Sequence, residues 1–231
     1  MMERIGAVIL AAGSGKRMGA DMPKQYLPLC GKPVMVHCLE VFEKSPVDEI
    51  VLVVTPGDEA YCKQNMVDAY HITKVKAIVP GGAERYDSVY QGLCHMQCDY
   101  VLIHDSARAF VTEDIIKRSI AGAKEYDACV VGMPVKDTIK IADEEGWVNA
   151  TPRRDLVWGI QTPQSFRYAL VYEAYMRLQS CDKTGVTDDA MVVEKMMEKR
   201  VKLLEGSYEN IKVTTPEDLL LGENIIQSRK K

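Results

Sequence analysis

Several features that define other protein classes are missing from this sequence of 231 residues. No run approaches the roughly 18 uncharged apolar residues that a membrane-spanning helix needs. The N-terminal segment lacks the apolar stretch and the small-residue cleavage site of a secretory signal peptide. Internal repeats and low-complexity segments are also absent. We therefore expect a single domain, residues 1–231, that works in the cytoplasm.

The seven cysteines include no Cys-x-x-Cys pair, which disfavours a redox motif or a zinc ribbon. Cys94 and Cys98 would share a helical face beside His95, but no second cluster supplies the remaining ligands that zinc requires. An odd number of cysteines is typical of free thiols in a reducing compartment.

The formal net charge of −4 does not favour a general nucleic-acid binder, which would carry a basic face. Any polyanionic ligand must instead be held by a few individually placed cations. The positions of single Arg and Lys residues therefore become the main evidence for a binding site.

Short apolar segments alternate with amphipathic patterns along the chain. Segments rich in Val and Ile, typical of strands buried on both faces, lie at 5–10, 49–54, 75–79, 100–104 and 128–133. Helical periodicity lies between them, as in Val89, Leu93 and Met96. This order predicts an α/β fold with a doubly wound, mainly parallel, Rossmann-like sheet.

The segment at about 136–157 interrupts this alternation. It is charged, contains Gly146 and Trp147, and alternates weakly, which predicts a projecting β-hairpin arm. Exposed strand edges and an indole favour packing on a second subunit, and a mobile surface hairpin is the alternative. Beyond the arm we predict three helices, with two short strands between the last two. Thr215 and Pro216 suit the start of the final helix.

Unusual residues follow four of the predicted strands. Ligands of open α/β sheets bind outside the carboxyl ends of the strands, so these residues indicate one shared cleft. The first strand is followed by Ala11, Ala12, Gly13, Ser14, Gly15, Lys16 and Arg17, and then by Lys24. The later strand ends carry Gly81, Gly82, Arg85 and Ser88, then Asp105 and Arg108, then Asp137 and Thr138.

The loop after the first strand carries the strongest local signal. Its small residues allow backbone N–H groups to cradle phosphate oxygens. It is not a Walker A loop, because no Ser or Thr follows Lys16, and the 13–19 glycine spacing is too long for a dinucleotide fingerprint. Arg17 and Lys24 suit triphosphate chemistry, since cations neutralise charge on the α-phosphate and on departing pyrophosphate. A magnesium-dependent nucleotidyltransferase is predicted, with a flexible loop of solvated basic residues as the alternative.

Asp105 stands at a strand end, where a carboxylate can bind a ribose hydroxyl or a Mg²⁺ carried on nucleotide phosphates. Its alternative role is an N-cap for the next turn. Arg153, Arg154 and Lys212 are candidates for holding a substrate phosphate, and each alone can equally be a solvated surface charge.

These segments, in this order, resemble the 2-C-methyl-D-erythritol 4-phosphate cytidylyltransferase family nearly end to end. The matching segments are residues 10–18, 23–25, 81–82, 85, 88–89, 104–105, 107–108, 137–138, 161–164, 187–188 and 210–214. In two places the chain departs from the family, with Ala109 in place of a usual Pro and Lys16 where many members have Arg.

The resemblance implies roles for matching residues. Arg17 and Lys24, with Arg154 and Lys212, would be catalytic, the first two at the α-phosphate of CTP. CTP would be bound by Ala11, Ala12, Gly13, Ser14, Gly15, Lys16, Gly81, Gly82, Ser88 and Asp105. The methylerythritol phosphate would be bound by Asp105, Arg108, Thr138, Arg154, Thr162, Thr187 and Lys212. Mg²⁺ would accompany CTP. Thr138 and Arg154 would reach a partner's active site, which implies a homodimer.

Three alternatives stay open at this point. A ribitol-5-phosphate cytidylyltransferase shares the fold, the donor and segment 161–164. A non-catalytic nucleotide-binding regulatory protein predicts the loss of Arg17, Lys24 or Lys212, yet all three are present. A nicotinamide dehydrogenase is disfavoured by the first-loop spacing. No general base is expected, because a substrate phosphate is already ionised near pH 7, and His104 is predicted to be structural.

Overall fold

Within residues 3–13 and 22–229, which the computed structural model describes, seven strands form one sheet. The strands of the chain are β1 (Ile5–Ala11), β2 (Pro28–Leu29), β3 (Lys32–Pro33), β4 (Glu49–Val54), β5 (Val75–Pro80), β6 (Tyr100–Asp105), β7 (Ala128–Pro134), β8 (Ile141–Ala142), β9 (Val148–Ala150), β10 (Trp158–Arg167) and β11 (Lys202–Glu205). The sheet order is β11-β7-β10-β6-β1-β4-β5, with β2-β3 and β8-β9 as separate small pairs.

The α-helices among the described residues are α1 (Val34–Lys44), α2 (Glu59–Cys62), α3 (Arg85–Cys94), α4 (Glu113–Tyr126), α5 (Tyr168–Leu178), α6 (Asp189–Met197) and α7 (Pro216–Ser228). Of these, α3, α4, α6 and α7 begin with side-chain caps that the sequence supplies. Asp188 accepts a hydrogen bond from the Met191 N–H at the start of α6. Thr215 and Asp218 form a capping box at the start of α7, with Pro216 in the first turn. The predicted start of this helix is confirmed.

Helices cover both faces of the sheet because side chains of a strand alternate between its faces. Ala7 and Ile9 of β1 pack with residues of α1 and α4. Val8 and Leu10 pack on the opposite face with residues of α3 and α5. Only β10 runs antiparallel to its neighbours, β6 and β7, while the other paired strands of the sheet are parallel. The doubly wound, mainly parallel sheet is thus confirmed.

Two parts of the predicted strand pattern were wrong. The strand β10 was not predicted, because it contains Pro163 and buries polar residues such as Gln164 and Ser165 in place of an apolar run. One strand, β11, lies between α6 and α7, where two were predicted. The segment after β11 is a loop that hydrogen-bonds to the sheet at single points, including Gly206 N–H to the Gly132 carbonyl of β7 at 2.8 Å.

A short antiparallel pair, β8 with β9, lies within the predicted arm. Its base is closed by a hydrogen bond from the Val135 N–H to the Val157 carbonyl at 3.0 Å. The residues of the pair are exposed, and Trp147 between them is 71% exposed. The use of this segment in dimerisation stays a prediction. Among the described helices, none is both long and apolar enough to cross a membrane.

The strand order places a switch point between β1 and β6. From β1 the chain continues to β4 and β5 on one side, and it returns to β6 on the other side. The carboxyl ends of β1 and β6 therefore flank the position at which open α/β sheets bind ligands.

The packing of α3 on the sheet yields a prediction about Gly92. A Cβ atom there would lie 2.4 Å from Val8 Cγ1 and 3.0 Å from Val53 Cγ2. We expect Gly92→Ala to lower the free energy of unfolding by roughly 1–2 kcal/mol, because overpacking outweighs the better helix propensity of Ala. Urea denaturation measures the change. The matched control is Gln91→Ala on the exposed face of α3, and equal stability of the two variants would contradict the tight packing.

Candidate active site

A cleft of about 430 Å³ opens at the switch point. Its walls come from the end of β1, the turn before α3, the end of β6 and the loop before α7. The lining residues are Leu10, Ala11, Ala12, Gly13, Lys24, Gln25, Gly82, Ala83, Glu84, Arg85, Ser88, Asp105, Ser106, Ala107, Lys212 and Thr214.

One wall is built by close contact between the end of β1 and the turn before α3. A Cβ atom at Gly81 would lie 2.5 Å from Ala12 Cβ, so only glycine allows this approach. The Ser88 hydroxyl accepts from the Gly82 N–H at 3.1 Å and donates to the Glu84 carbonyl at 3.2 Å. These contacts shape the turn, and the apolar, small-residue surface they leave suits a flat nucleoside.

Lys24 is held near the end of β1 by its neighbour. Gln25 is buried, and its Nε2 donates to the Ala11 carbonyl at 2.6 Å. This bond fixes the segment that follows the first loop against the strand that precedes it. It therefore brings the Lys24 cation to the same wall as the small-residue turn.

The opposite wall carries Asp105, buried at the end of β6. Its Oδ1 accepts from Arg85 Nε at 3.2 Å, and its Oδ2 accepts from Lys212 Nζ at 2.6 Å. Burial alone would raise the pKa of Asp105, but the charges of Arg85 and Lys212 bring it well below its usual range. The carboxylate is therefore ionised throughout the physiological range.

Arg85 connects this wall to the interior. Its Nη1 and Nη2 donate to the two carboxylate oxygens of Asp189 at 2.9 and 2.8 Å, and Asp189 also accepts from the Tyr175 hydroxyl at 2.5 Å. Although burial opposes the charge, Asp189 and Asp105 raise the pKa of Arg85 well above its ordinary value. Sequence reasoning noted Arg85 as part of a motif but missed Asp189, which lies 104 positions away.

The loop that carries Lys212 is positioned by buried polar contacts. Asn210 is fully buried, and its Nδ2 donates to the Thr162 carbonyl at 2.9 Å. The Thr214 hydroxyl donates to the Lys212 carbonyl at 2.9 Å. Asn210 begins the 210–214 segment but was given no role, because its partner lies on β10, a strand that the sequence did not predict.

His104 lies behind the cleft as a structural residue, as predicted. Its Nε2 donates to the Arg108 carbonyl at 3.1 Å, and its Nδ1 lies 3.0 Å from the Thr162 hydroxyl. The same hydroxyl accepts from the Asp105 N–H at 3.1 Å. Because a carbonyl can only accept, the neutral tautomer carries its proton on Nε2. Burial lowers the pKa of His104 to about 4.

The structure places six of the ten predicted CTP residues in the cleft, namely Ala11, Ala12, Gly13, Gly82, Ser88 and Asp105, and Gly81 lies directly beside it. The predicted catalytic residues Lys24 and Lys212 also line the cleft. Ser14, Gly15, Lys16 and Arg17 lie outside the described residues.

Five predicted substrate residues do not line this cleft. Arg108 donates instead to the carbonyls of Asn210 and Ile160, and the Thr162 hydroxyl is buried behind Asp105. Thr187 lines a small cavity on the far side of Arg85. Thr138 and Arg154 are exposed within the arm, where Arg154 donates to the Lys136 carbonyl at 3.1 Å.

The described side chains do not fit a metal site built by the protein. Within residues 3–13 and 22–229, no group of three or more His, Cys, Asp or Glu residues is placed to hold a metal ion. Both carboxylate oxygens of Asp105 accept from cationic donors, and the charges of Arg85 and Lys212 would repel a metal ion at this carboxylate. The same part of the chain contains all seven cysteines as free thiols.

The fold and the cleft together define a class of protein. A Rossmann-like sheet places a small-residue turn and two lysines, Lys24 and Lys212, at its switch point. Such a site can bind a nucleotide and neutralise charge on reacting phosphates, which are the requirements of a nucleotidyltransferase.

Comparisons with known proteins assign the family. A family model described as 2-C-methyl-D-erythritol 4-phosphate cytidylyltransferase matches residues 5–228. A protein of that name from Alkaliphilus oremlandii is 48% identical over 233 residues, which cover 100% of this chain and 98% of the relative. Another from Geobacter metallireducens is 45% identical over 229 residues, covering 96% of this chain and 97% of the relative. The chain belongs to the 2-C-methyl-D-erythritol 4-phosphate cytidylyltransferase family.

Solved structures agree with this assignment. The 4-diphosphocytidyl-2C-methyl-D-erythritol synthase from Anaerococcus prevotii superposes with a TM-score of 0.85 at 33% identity, covering 97% of this chain and 96% of that chain. The 2-C-methyl-D-erythritol 4-phosphate cytidylyltransferase from Thermus thermophilus superposes with a TM-score of 0.77 at 29% identity, covering 98% and 100%. The enzyme class predicted from the sequence is confirmed, and the ribitol 5-phosphate alternative is not favoured.

The burial of neutral His104 predicts a dependence of stability on pH. Its folded pKa of about 4 lies below the ordinary value of 6.5, so the unfolded chain binds this proton more readily between those values. Stability therefore falls as the pH drops through that window. We expect the His104 contribution to the free energy of unfolding to be about 2 kcal/mol smaller at pH 5 than at pH 7.

Urea denaturation at the two pH values measures this change. Replacing His104 with Gln should remove most of the difference attributed to this residue, whereas replacing the exposed His95 with Gln should keep it. An unaltered pH dependence in the His104 variant would show that its proton does not control stability.

Proposed function

We propose that the cleft binds CTP and 2-C-methyl-D-erythritol 4-phosphate and transfers CMP from the first to the second. The products are 4-diphosphocytidyl-2-C-methyl-D-erythritol and pyrophosphate. The observation that carries the proposal is the position of Lys24 and Lys212 in one cleft with the β1 turn, in a chain of this family. A non-catalytic nucleotide-binding role is disfavoured because both lysines are retained there.

The reaction needs a new bond between a phosphate oxygen of the acceptor and the α-phosphorus of CTP. The bond from that phosphorus to the oxygen of pyrophosphate breaks at the same time. No proton has to be removed from the nucleophile, because the acceptor phosphate is ionised near pH 7. Both reactants are anions, so positioning and charge neutralisation supply the acceleration.

Each wall has a separate task in this proposal. Ala11, Ala12 and Gly13, together with the turn at Gly81, Gly82 and Ser88, enclose the nucleoside. Lys24 meets the α-phosphate, where negative charge grows in the transition state. Lys212 and Asp105 place the acceptor on the other wall. Arg17, outside the described residues, is proposed to assist Lys24.

Magnesium is proposed to enter with CTP, since nucleoside triphosphates commonly react as complexes of divalent cations. Asp105 is engaged by Arg85 and Lys212, so the triphosphate oxygens are the ligands on which the ion would be carried. The ion would neutralise phosphate charge there.

A homodimer with shared sites is proposed for the arm residues. Ile141, Trp147 and Val148 are exposed hydrophobic side chains on the hairpin, and Leu156 just beyond it is 69% exposed. Such a patch favours burial against another chain. Thr138 and Arg154 would then contact the acceptor phosphate bound by the partner chain. A cytoplasmic location stays a prediction from the sequence.

Pyrophosphate release from purified protein tests the proposed reaction. We expect turnover with CTP, Mg²⁺ and methylerythritol phosphate, and at most weak turnover with ribitol 5-phosphate or with ATP as donor. EDTA should stop the reaction and excess Mg²⁺ should restore it. Equal rates with both acceptors would reject the substrate assignment, and full activity in EDTA would reject the role of the metal.

Co-expression of two inactive variants tests the roles of Lys24 and Arg154 and the shared site together. Removal of a cation that meets the reacting phosphates should lower kcat about 100-fold or more in Lys24→Ala and in Arg154→Ala. A mixed dimer would contain one site with both residues intact, so co-expression should restore about a quarter of the wild-type activity.

The surface variant Lys63→Ala, which loses only an exposed pair with Asp68, controls for general effects of removing a lysine. Co-expressed variants that stay inactive, in a protein that sediments as a monomer, would rule out sites shared between chains.

A further inference from the structure

Asp189 is a charged residue that no role in the proposed reaction uses. It is fully buried at the first position of α6, it does not line the cleft, and it neighbours the N-cap Asp188. A buried carboxylate is strongly unfavourable unless it is paired and hydrogen-bonded. The three hydrogen bonds that Asp189 accepts from Arg85 and Tyr175 meet this requirement.

The hydrogen bonds between Asp189 and Arg85 set the orientation of the guanidinium. Both Nη atoms of the guanidinium face Asp189, which leaves Nε to face Asp105 on the cleft side. Because a guanidinium is planar and rigid, the fork held by Asp189 fixes where Nε points. The ammonium of a lysine could not make both contacts in this geometry.

The fixed guanidinium of Arg85 determines the orientation of the Asp105 carboxylate. Arg85 Nε donates to Asp105 Oδ1, so Oδ2 is available to accept a hydrogen bond from Lys212 Nζ at 2.6 Å. Without Asp189, the two Nη groups of Arg85 would be left without their buried partner and would compete with Lys212 for the Asp105 oxygens. The ammonium of Lys212 would then lose its fixed place in the cleft.

We propose that Asp189 is a positioning residue for cytidylyl transfer, which acts through Arg85 and Asp105 to hold Lys212 at the acceptor wall. Tyr175 completes the arrangement by donating to Asp189 from within the core. The inference rests on the proposed function, since it assigns Lys212 to the bound acceptor. It adds two residues, Asp189 and Tyr175, that never touch a substrate.

The test compares variants that differ by few atoms. Asp189→Asn keeps the shape but removes the charge, and Tyr175→Phe removes one hydroxyl. We expect kcat, measured with both substrates saturating, to fall about tenfold in Asp189→Asn and several-fold in Tyr175→Phe. KM for CTP should stay within about twofold, since the turn at Gly82 and Ser88 does not contact Asp189.

Glu194→Gln is the matched control. It removes a carboxylate charge from the exposed face of the same helix, so kcat should stay at the wild-type value. Unfolding curves confirm that every variant is folded at the assay temperature. A purely structural role would lower stability and leave kcat per folded molecule unchanged, and that result would overturn the proposal.

A double-mutant cycle tests whether Asp189 acts through Arg85. If it does, Asp189→Asn should add little to the loss already caused by Arg85→Gln, so the effects on kcat are not additive. Additive effects would overturn the coupling. The outcomes also separate the two proposals: an inactive wild-type chain rejects the proposed function, whereas an active one with a normal Asp189→Asn rejects only this inference.

Discussion

The Asp105 carboxylate is buried at the end of β6, where ion pairs with two cations help to keep it charged. One cation, Arg85, is fixed from behind by Asp189, and the other, Lys212, lies on the cleft side. A charge at this depth is costly to leave unpaired, so removal of either cation would disturb the other. The wall of the cleft that carries Asp105 thus depends on a row of alternating charges that begins in the core and ends at the cleft.

The sheet positions each member of this row. Leu10 of β1 pairs in register with Asp105 of β6, so the small-residue turn after β1 and the Asp105 carboxylate lie at the same level along the strands. The N-terminus of α3 supplies Arg85 as its first residue, and the N-terminus of α6 supplies Asp189. Side chains from separate elements can meet within hydrogen-bond distance only when those elements are themselves rigidly packed. The tight contact between Gly81 and Ala12 serves that purpose on the opposite wall of the cleft.

Local signals in the sequence located five parallel strands of the sheet, because each is a compact, mostly apolar run. They also marked the strand ends that form the cleft, through glycines and charges at Gly82, Asp105 and Lys24. Contacts between residues that are far apart in the chain could not be predicted from these local signals. The partner of Arg85 is 104 positions away, and β10 buries Gln164 and Ser165, whose polarity resembles that of a loop. Such contacts are fixed only when the whole sheet forms.

Both substrates of the proposed reaction are anions, so the presence of the Asp105 carboxylate in the cleft needs a physical explanation. The row of Asp189, Arg85, Asp105 and Lys212 contains equal numbers of positive and negative charges, so it adds little net attraction for phosphate. The contribution of this row is to orient the Lys212 ammonium. An ammonium has three N–H donors, and Asp105 engages Lys212 at one oxygen, which leaves donors that can meet an acceptor. In the proposed reaction, attraction for the triphosphate comes from the other wall, which Lys24 lines beside the residues that follow β1.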